Sequence, residues 1–370
     1  MLSRKVVGMN QEHNLAAVAR QFQITGEFAG AQPYGSGHIN DTYCAVFQHP
    51  DGPTHSILQR INTNIFKQPE SLMQNIQRVT EHLAAQVASE SDRDRRVLNL
   101  VPARDGRGWH VDSTGNYWRA YRFIEGARSY DTVESTGQAF QAAKAFGRFQ
   151  QLLVTLPAPP LHETIPHFHN TPRRFAALEQ AIAADVAGRA IHAKPEIQFA
   201  MAHRSICSVL LDANLPVRAT HNDTKFNNVL LDDETGEGVC VIDLDTVMPG
   251  LVHYDFGDMV RTTTSPAAED EQDLSKVSMQ LPMFEALARG YLASAGGFLT
   301  NAERDLLVFS GRLITFEIGI RFLTDYLSGD MYFKVHRDGQ NLDRCRTQFK
   351  LVESLEQQEK AMERLVRSIA

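Results

Sequence analysis

Cysteine is scarce in this chain: Cys44, Cys207, Cys240 and Cys345 are the only four in 370 residues. Their spacing fits neither a disulfide framework nor a paired metal-ligand motif, so reduced thiols are expected. Long apolar runs are lacking as well. No segment is long enough to span a bilayer, and residues 1–8 have no extended apolar core of the secretion-signal kind, so a cytoplasmic protein without membrane contact is expected. Nor is positive charge in surplus. With 37 Lys and Arg against 44 Asp and Glu, the net charge of −7 argues against a nucleic-acid surface. Any anionic ligand must therefore be met by local cations, main-chain amides or a metal. The chain shows no internal repeat and no low-complexity tail.

Hydrophobic residues make up 43% of the chain, enough for two cores. The pattern changes near residue 125. Residues 1–125 read as a short helix with Leu15, Val18 and Phe22 on one stripe, several strands, and one long helix begun by Pro69 and carrying Leu72, Ile76, Val79 and Leu83. Residues 126–370 turn mainly helical, with apolar stretches at 140–153, 197–211, 284–292, 305–327 and 342–369. The expected class is α+β, divided into domains 1–125 and 126–370.

The chemistry-bearing stretch is His221-Asn222-Asp223-Thr224-Lys225-Phe226-Asn227-Asn228, entered from one short extended run and left by another, Val229-Leu230-Leu231. A turn at 232–238 leads to Val239-Cys240-Val241-Ile242-Asp243. This order of strand, loop, hairpin and carboxylate suits phosphoryl transfer, which needs a base for the acceptor's proton and oxygens for Mg²⁺. Asp223 is the candidate base, with Lys225 near enough to reach the transferring group. Asn228 and Asp243 are candidate metal ligands. Asp245 joins them as a second carboxylate if the strand continues past Asp243. Asp255-Phe256-Gly257 spells a familiar kinase metal motif, but it follows the turn formers Pro249-Gly250, so Asp255 and Asp258 are expected to brace the loop or cap a helix.

Upstream, the glycines of Tyr34-Gly35-Ser36-Gly37-His38-Ile39-Asn40 allow main-chain amides to approach phosphates, which makes Gly35, Ser36 and Gly37 candidate nucleotide contacts. The run 55–62 lies where kinases carry a phosphate-binding Lys, yet holds Gln59 and Arg60 instead. They point to opposite faces of a strand, and Arg60 is the candidate cation. Glu70 and Glu81 are the acidic candidates on the long helix. The aromatic strand 117–124 ends at Glu125-Gly126, and main-chain groups of Arg122 and Ile124 are the candidate adenine contacts.

These elements in this order resemble the aminoglycoside phosphotransferase and choline kinase superfamily. More narrowly, Gly37-His38-Ile39-Asn40-Asp41-Thr42-Tyr43, Leu58-Gln59-Arg60-Ile61-Asn62, residues 241–249 and Arg321-Phe322-Leu323-Thr324-Asp325-Tyr326-Leu327 resemble the N-acetylhexosamine 1-kinase group. The resemblance implies a two-lobed protein-kinase-like fold, a small β-rich N-lobe and a mostly helical C-lobe. It implies ATP and Mg²⁺ as cofactors and the anomeric hydroxyl of an N-acetylhexosamine as acceptor. Carried onto matching positions, His38, Asn40, Arg321 and Tyr332 would contact the sugar. Arg321 also has a structural reading, as the i,i+4 partner of Asp325, and Tyr332 one as a core residue beside Phe333. A kinase of choline, an aminoglycoside or another sugar, and a nucleotide-binding pseudokinase, are the alternatives. His162, His167 and His169 are expected to line a loop and not to bind metal. Residues 262–271 are expected to form a polar surface loop, with a closing role left open.

Overall fold

The computed structural model describes residues 13–35 and 39–369. The chain folds into two compact units, one of residues 1–77 and 98–124, the other of 78–97 and 125–370.

In the first unit a helix, α1 (Leu15–Ala19), precedes three strands, β1 (Glu27–Pro33), β2 (Asp41–Gln48) and β3 (Thr54–Arg60). A long helix, α2 (Pro69–Gln86), then starts in this unit and ends in the other, and β4 (Leu100–Val101), β5 (His110–Val111) and β6 (Tyr117–Arg122) complete the sheet. All pairings are antiparallel in the order β1-β2-β3-β6-β4, with β5 also on β6. Alternation puts Ser56 and Leu58 of β3 inward, and Phe22, Phe47, Leu58, Trp118 and Ala120 share one core. The α2 residues Leu72, Ile76 and Val79 are fully buried, which accounts for the stripe that the sequence shows at helical spacing.

The second unit begins with the end of α2 and a short α3 (Arg93–Arg96), followed by β7 (Ala127–Arg128), α4 (Thr136–Leu153), α5 (Thr171–Ala184), α6 (Lys194–Ala202) and α7 (Val209–Asp212). The strands β8 (Arg218–Thr220), β9 (Val229–Asp232), β10 (Gly238–Val241) and β11 (Met248–Gly250) come next, then α8 (Val252–Thr263), α9 (Leu281–Ala295), α10 (Asn301–Asp305), α11 (Leu307–Leu327) and α12 (Gln340–Ser368). Helix α4 lies against α9 at close range: a Cβ at Gly290 would meet the Phe140 carbonyl at 2.1 Å. The apolar α11 is buried on nearly every side, against α5, α8 and α12. No helix among the described residues is long and apolar enough to cross a membrane.

Two small sheets hold the chemistry-bearing segment. The hairpin β9–β10 pairs Val229 with Val241, and β8 pairs with β11, Thr220 opposite Met248. The 232–236 turn closes because Asp232 accepts from the amides of Glu234 and Thr235 at 3.1 and 2.8 Å. The condition attached to Asp245 is not met here. The strand does not run on through residue 245: β10 stops at Val241, Asp243 turns left-handed at φ 58°, and Leu244–Thr246 form a 3₁₀ turn.

Candidate active site

The loop from His221 to Asn228 is held by buried polar groups on all sides. Asn222 is left-handed at φ 64°, a conformation that Asn adopts more readily than most residues. Its side-chain amide donates to the carbonyls of Thr220 and Thr246 at 3.1 and 2.9 Å. Asp255 accepts the main-chain N–H groups of His221 and Asn222 at 2.9 and 2.7 Å and the Gln150 amide at 2.6 Å. Thr224 donates to the Asp255 carbonyl at 2.6 Å. Asp255 thus braces the loop, as its position after the turn formers suggests. The ring of His221 joins the two strands: Nε2 donates to the Ile242 carbonyl at 2.9 Å, and Nδ1 accepts from the Asp223 amide at 3.3 Å.

On this frame the Asp223 side chain remains 24% exposed, and the Lys225 Nζ sits 3.1 Å from its Oδ1. Burial pushes the Asp223 carboxyl up, but the Lys225 ammonium beside it holds it below its ordinary value, so it is a carboxylate at neutral pH. Asp223 in turn raises the Lys225 ammonium. The Asn228 amide nitrogen donates to the Asp223 carbonyl at 2.8 Å, which leaves Oδ1 as its available oxygen. The Ile242 amide donates to the Asn228 carbonyl at 2.9 Å, so the chain returns Asp243 next to Asn228. Asp245 is buried within the 3₁₀ turn, and strand parity no longer aligns it with Asp243. A cavity of about 350 Å³ opens beside Lys225, bordered by Asn227, Arg261, Thr263, Glu269 and Gln348. The segment 262–271 is tied down there, with Glu269 paired to Arg261 and Arg344, and Asp270 to Arg337.

A second cluster flanks the loop. Arg321 lies 5.4, 5.9 and 5.6 Å from the ring centroids of Phe168, Tyr332 and Phe333. It makes no ion pair with Asp325, contrary to the structural reading of the i,i+4 spacing. Asp325 instead accepts the amides of Met331, Tyr332 and Phe333 at 2.9, 2.8 and 2.9 Å and folds the turn after α11. Tyr332 is 64% exposed, so it is no core residue. One turn before Arg321, the buried Glu317 accepts from His169 at 2.8 Å and Thr171 at 2.6 Å. Of the three closely spaced imidazoles, His169 is buried in this pair. Among the described residues no group of three or more His, Cys, Asp and Glu side chains suits a metal.

The candidate nucleotide residues are placed by the first unit. Gly35 has φ 81°, while Ser36, Gly37 and His38 lie outside the described residues. Asn40 accepts from the Asn62 amide at 2.9 Å. Arg60 is committed to Asp41 at 2.5 Å, an ion pair on the face of β3 opposite Gln59. Gln59 accepts two bonds from Arg119, at 2.9 and 2.7 Å. Arg119 is 1% exposed, a buried cation that the sequence hides in an ordinary aromatic strand. The Arg122 N–H already donates to the Asn99 carbonyl at 2.9 Å, and the Ile124 side chain is buried. Besides Arg119, inspection of the sequence missed Glu317 and Gln150, since neither carries a local motif.

With this geometry in place, similarity to known proteins is informative. The chain matches the model of the phosphotransferase enzyme family over residues 30–293. Among solved structures it is similar to an AMP-bound spectinomycin phosphotransferase, at 11% identity and a TM-score of 0.60, covering 92% of this chain and 96% of that one. An aminoglycoside phosphotransferase from Alicyclobacillus acidocaldarius gives 12%, 0.57, 95% and 96% in the same order. A microcompartment-associated aminopropanol kinase gives 18%, 0.55, 94% and 98%. At these identities the structures establish the protein-kinase-like α+β fold, and the family match, over more than half the chain, places the protein: it belongs to the phosphotransferase enzyme family.

Proposed function

We propose that this phosphotransferase uses ATP to phosphorylate the anomeric hydroxyl of an N-acetylhexosamine, giving the sugar 1-phosphate. The observation that carries the choice of acceptor is the state of Arg321. Among the described residues its guanidinium has no hydrogen bond and no ion pair, and it occupies the three rings that an ammonium group would need. Arg174 and His169 add positive charge nearby, and the Glu317 carboxylate is already engaged by His169 and Thr171. Such a cluster disfavours choline, amino alcohols and aminoglycosides. It suits a neutral acceptor rich in hydroxyl and amide-carbonyl oxygens, because Arg offers donors only.

In this reading Asp223 accepts the proton of the attacking hydroxyl and Lys225 moves from Asp223 toward the transferring group. Asn228 Oδ1 and Asp243 would hold Mg²⁺, and two hard oxygens fit a cation that keeps waters and phosphate oxygens for its other positions. Held there, the ion would neutralise charge on the phosphate oxygens. Asp245 stays a further candidate ligand. Arg321, Tyr332, His38 and Asn40 would contact the sugar. Residues 1–125 would hold the nucleotide through Gly35, Ser36, Gly37, Arg60, Ile124 and Arg122, the last by its carbonyl. Residues 126–370 would carry catalysis and the acceptor. The expected site of action is the cytoplasm.

The test is ATP consumption by purified protein with N-acetylglucosamine, N-acetylgalactosamine, choline, ethanolamine and an aminoglycoside, with the product's phosphorus coupled to the anomeric proton. Turnover restricted to the ammonium acceptors would refute the acceptor assignment. Asp223→Asn should lose about 10²- to 10⁴-fold in kcat while still binding nucleotide. A pseudokinase would consume no ATP with any acceptor.

A further inference from the structure

We infer that Glu317 and His169 form a positioning pair that fixes the residue before Asp223 to the helix carrying Arg321. The inference rests on the reading of Asp223 as the base. Asn222 is gripped at both polar atoms of its main chain: its N–H donates to Asp255 at 2.7 Å, and its carbonyl accepts from His169 Nε2 at 3.0 Å. The other ring nitrogen, Nδ1, donates to Glu317 at 2.8 Å. A carbonyl and a carboxylate are both acceptors, so both ring nitrogens must carry hydrogen, and His169 is an imidazolium. Burial pushes His169 down, but the Glu317 charge, the hydrogen bond to Glu317 and the bond to the Asn222 carbonyl together raise the group; burial pushes Glu317 up, but His169 holds it low. The Phe168 and Tyr254 rings pack against the imidazolium, with centroids 4.7 and 4.9 Å away.

A buried ion pair is a poor device for stability, because apolar residues of the same volume do as well or better. What this pair does that an apolar pair cannot is aim a donor at the peptide preceding the base. Glu317 also sits four residues before Arg321 on α11, so one carboxylate fixes both the loop that carries the base and the turn of helix that carries the proposed sugar contact. The neighbouring Arg321 charge acts against the imidazolium, and Glu317 is the group that sustains it.

The experiment uses the full chain and four variants, Glu317→Gln, His169→Gln, their double, and Thr171→Val. Each Gln variant should lose about 10- to 100-fold in kcat with the acceptor, as a small misplacement of the base costs. Affinity for ATP should be unchanged. The double variant should be no worse than the poorer single, because the two act as one unit. Thr171→Val removes a bond to Glu317 without touching Asn222, and should lower Tm while sparing kcat. Gln variants that lose Tm but keep the wild-type kcat would overturn the inference. If neither Gln variant folds, nitrogen-15 NMR of the wild type decides: two protonated ring nitrogens on His169 at neutral pH support the pair, and a neutral tautomer overturns it. Full rate in Asp223→Asn would instead sink the base assignment, an outcome distinct from active Gln variants beside an inactive Asp223→Asn.

Discussion

Asp255 illustrates how much one buried side chain can organise. Its two oxygens take three N–H donors, two of them from the peptide units that lead into Asp223. Burial pushes its pKa up, and the donors oppose that rise. Removing the carboxylate leaves three donors without an acceptor, each costing about 1–3 kcal/mol. Asp255→Ala should therefore lower unfolding free energy in urea by at least about 3 kcal/mol. It should also depress kcat, since the loop loses its anchor, while Asp255→Asn keeps one acceptor and should be milder on both counts. An Asp255→Ala protein with wild-type stability would show that water replaces the carboxylate.

Between elements, α10 is fastened to β8 by a side chain with two tasks. Glu303 closes a capping box with Thr300 and accepts from Arg218 at 2.7 and 3.0 Å. Burial pushes its carboxyl up, but Arg218 and the Thr300 amide bring it below the ordinary value of 4.5. A carboxyl lowered by folding contributes stability above its unfolded pKa and loses it as pH falls through the folded one. Glu303→Gln should thus be less stable than wild type near pH 7, by about 3 kcal/mol for a buried pair deprived of one charge. The difference should shrink as pH drops below about 4.5. Denaturant titrations at pH 7 and pH 3 check it, and a gap independent of pH would place the effect in helix capping alone. The helix spans of this unit could be read from apolar periodicity, because each buries one stripe. The end of β10 could not, because a left-handed Asp243 is a backbone choice imposed by the hairpin and the His221–Ile242 bond.

For the molecule as a whole, four thiols report on folding. Cys207, Cys240 and Cys345 are buried, and burial raises the first two to about 11 and about 12 and the third well above its ordinary value. Cys44 is half-buried. A thiol reagent at neutral pH should label about one equivalent quickly in the native protein and the remaining three only on unfolding. Rapid labelling of all four would mean that the second unit opens far more readily than its packing suggests.

Local sequence settled the class of fold and the loop that carries Asp223, Lys225 and Asn228, because contiguous residues at fixed spacing need only a turn and a hairpin to come together. Helices and strands likewise showed their periods, since burial of one face is written residue by residue. Tertiary structure alone decided which polar and charged groups meet. Arg60 is paired with Asp41, Gln59 is bonded to Arg119, and His169 is held by Glu317, partners separated by 19, 60 and 148 residues. Ion pairing depends on distance in space and on local dielectric, and neither is encoded in the order of letters.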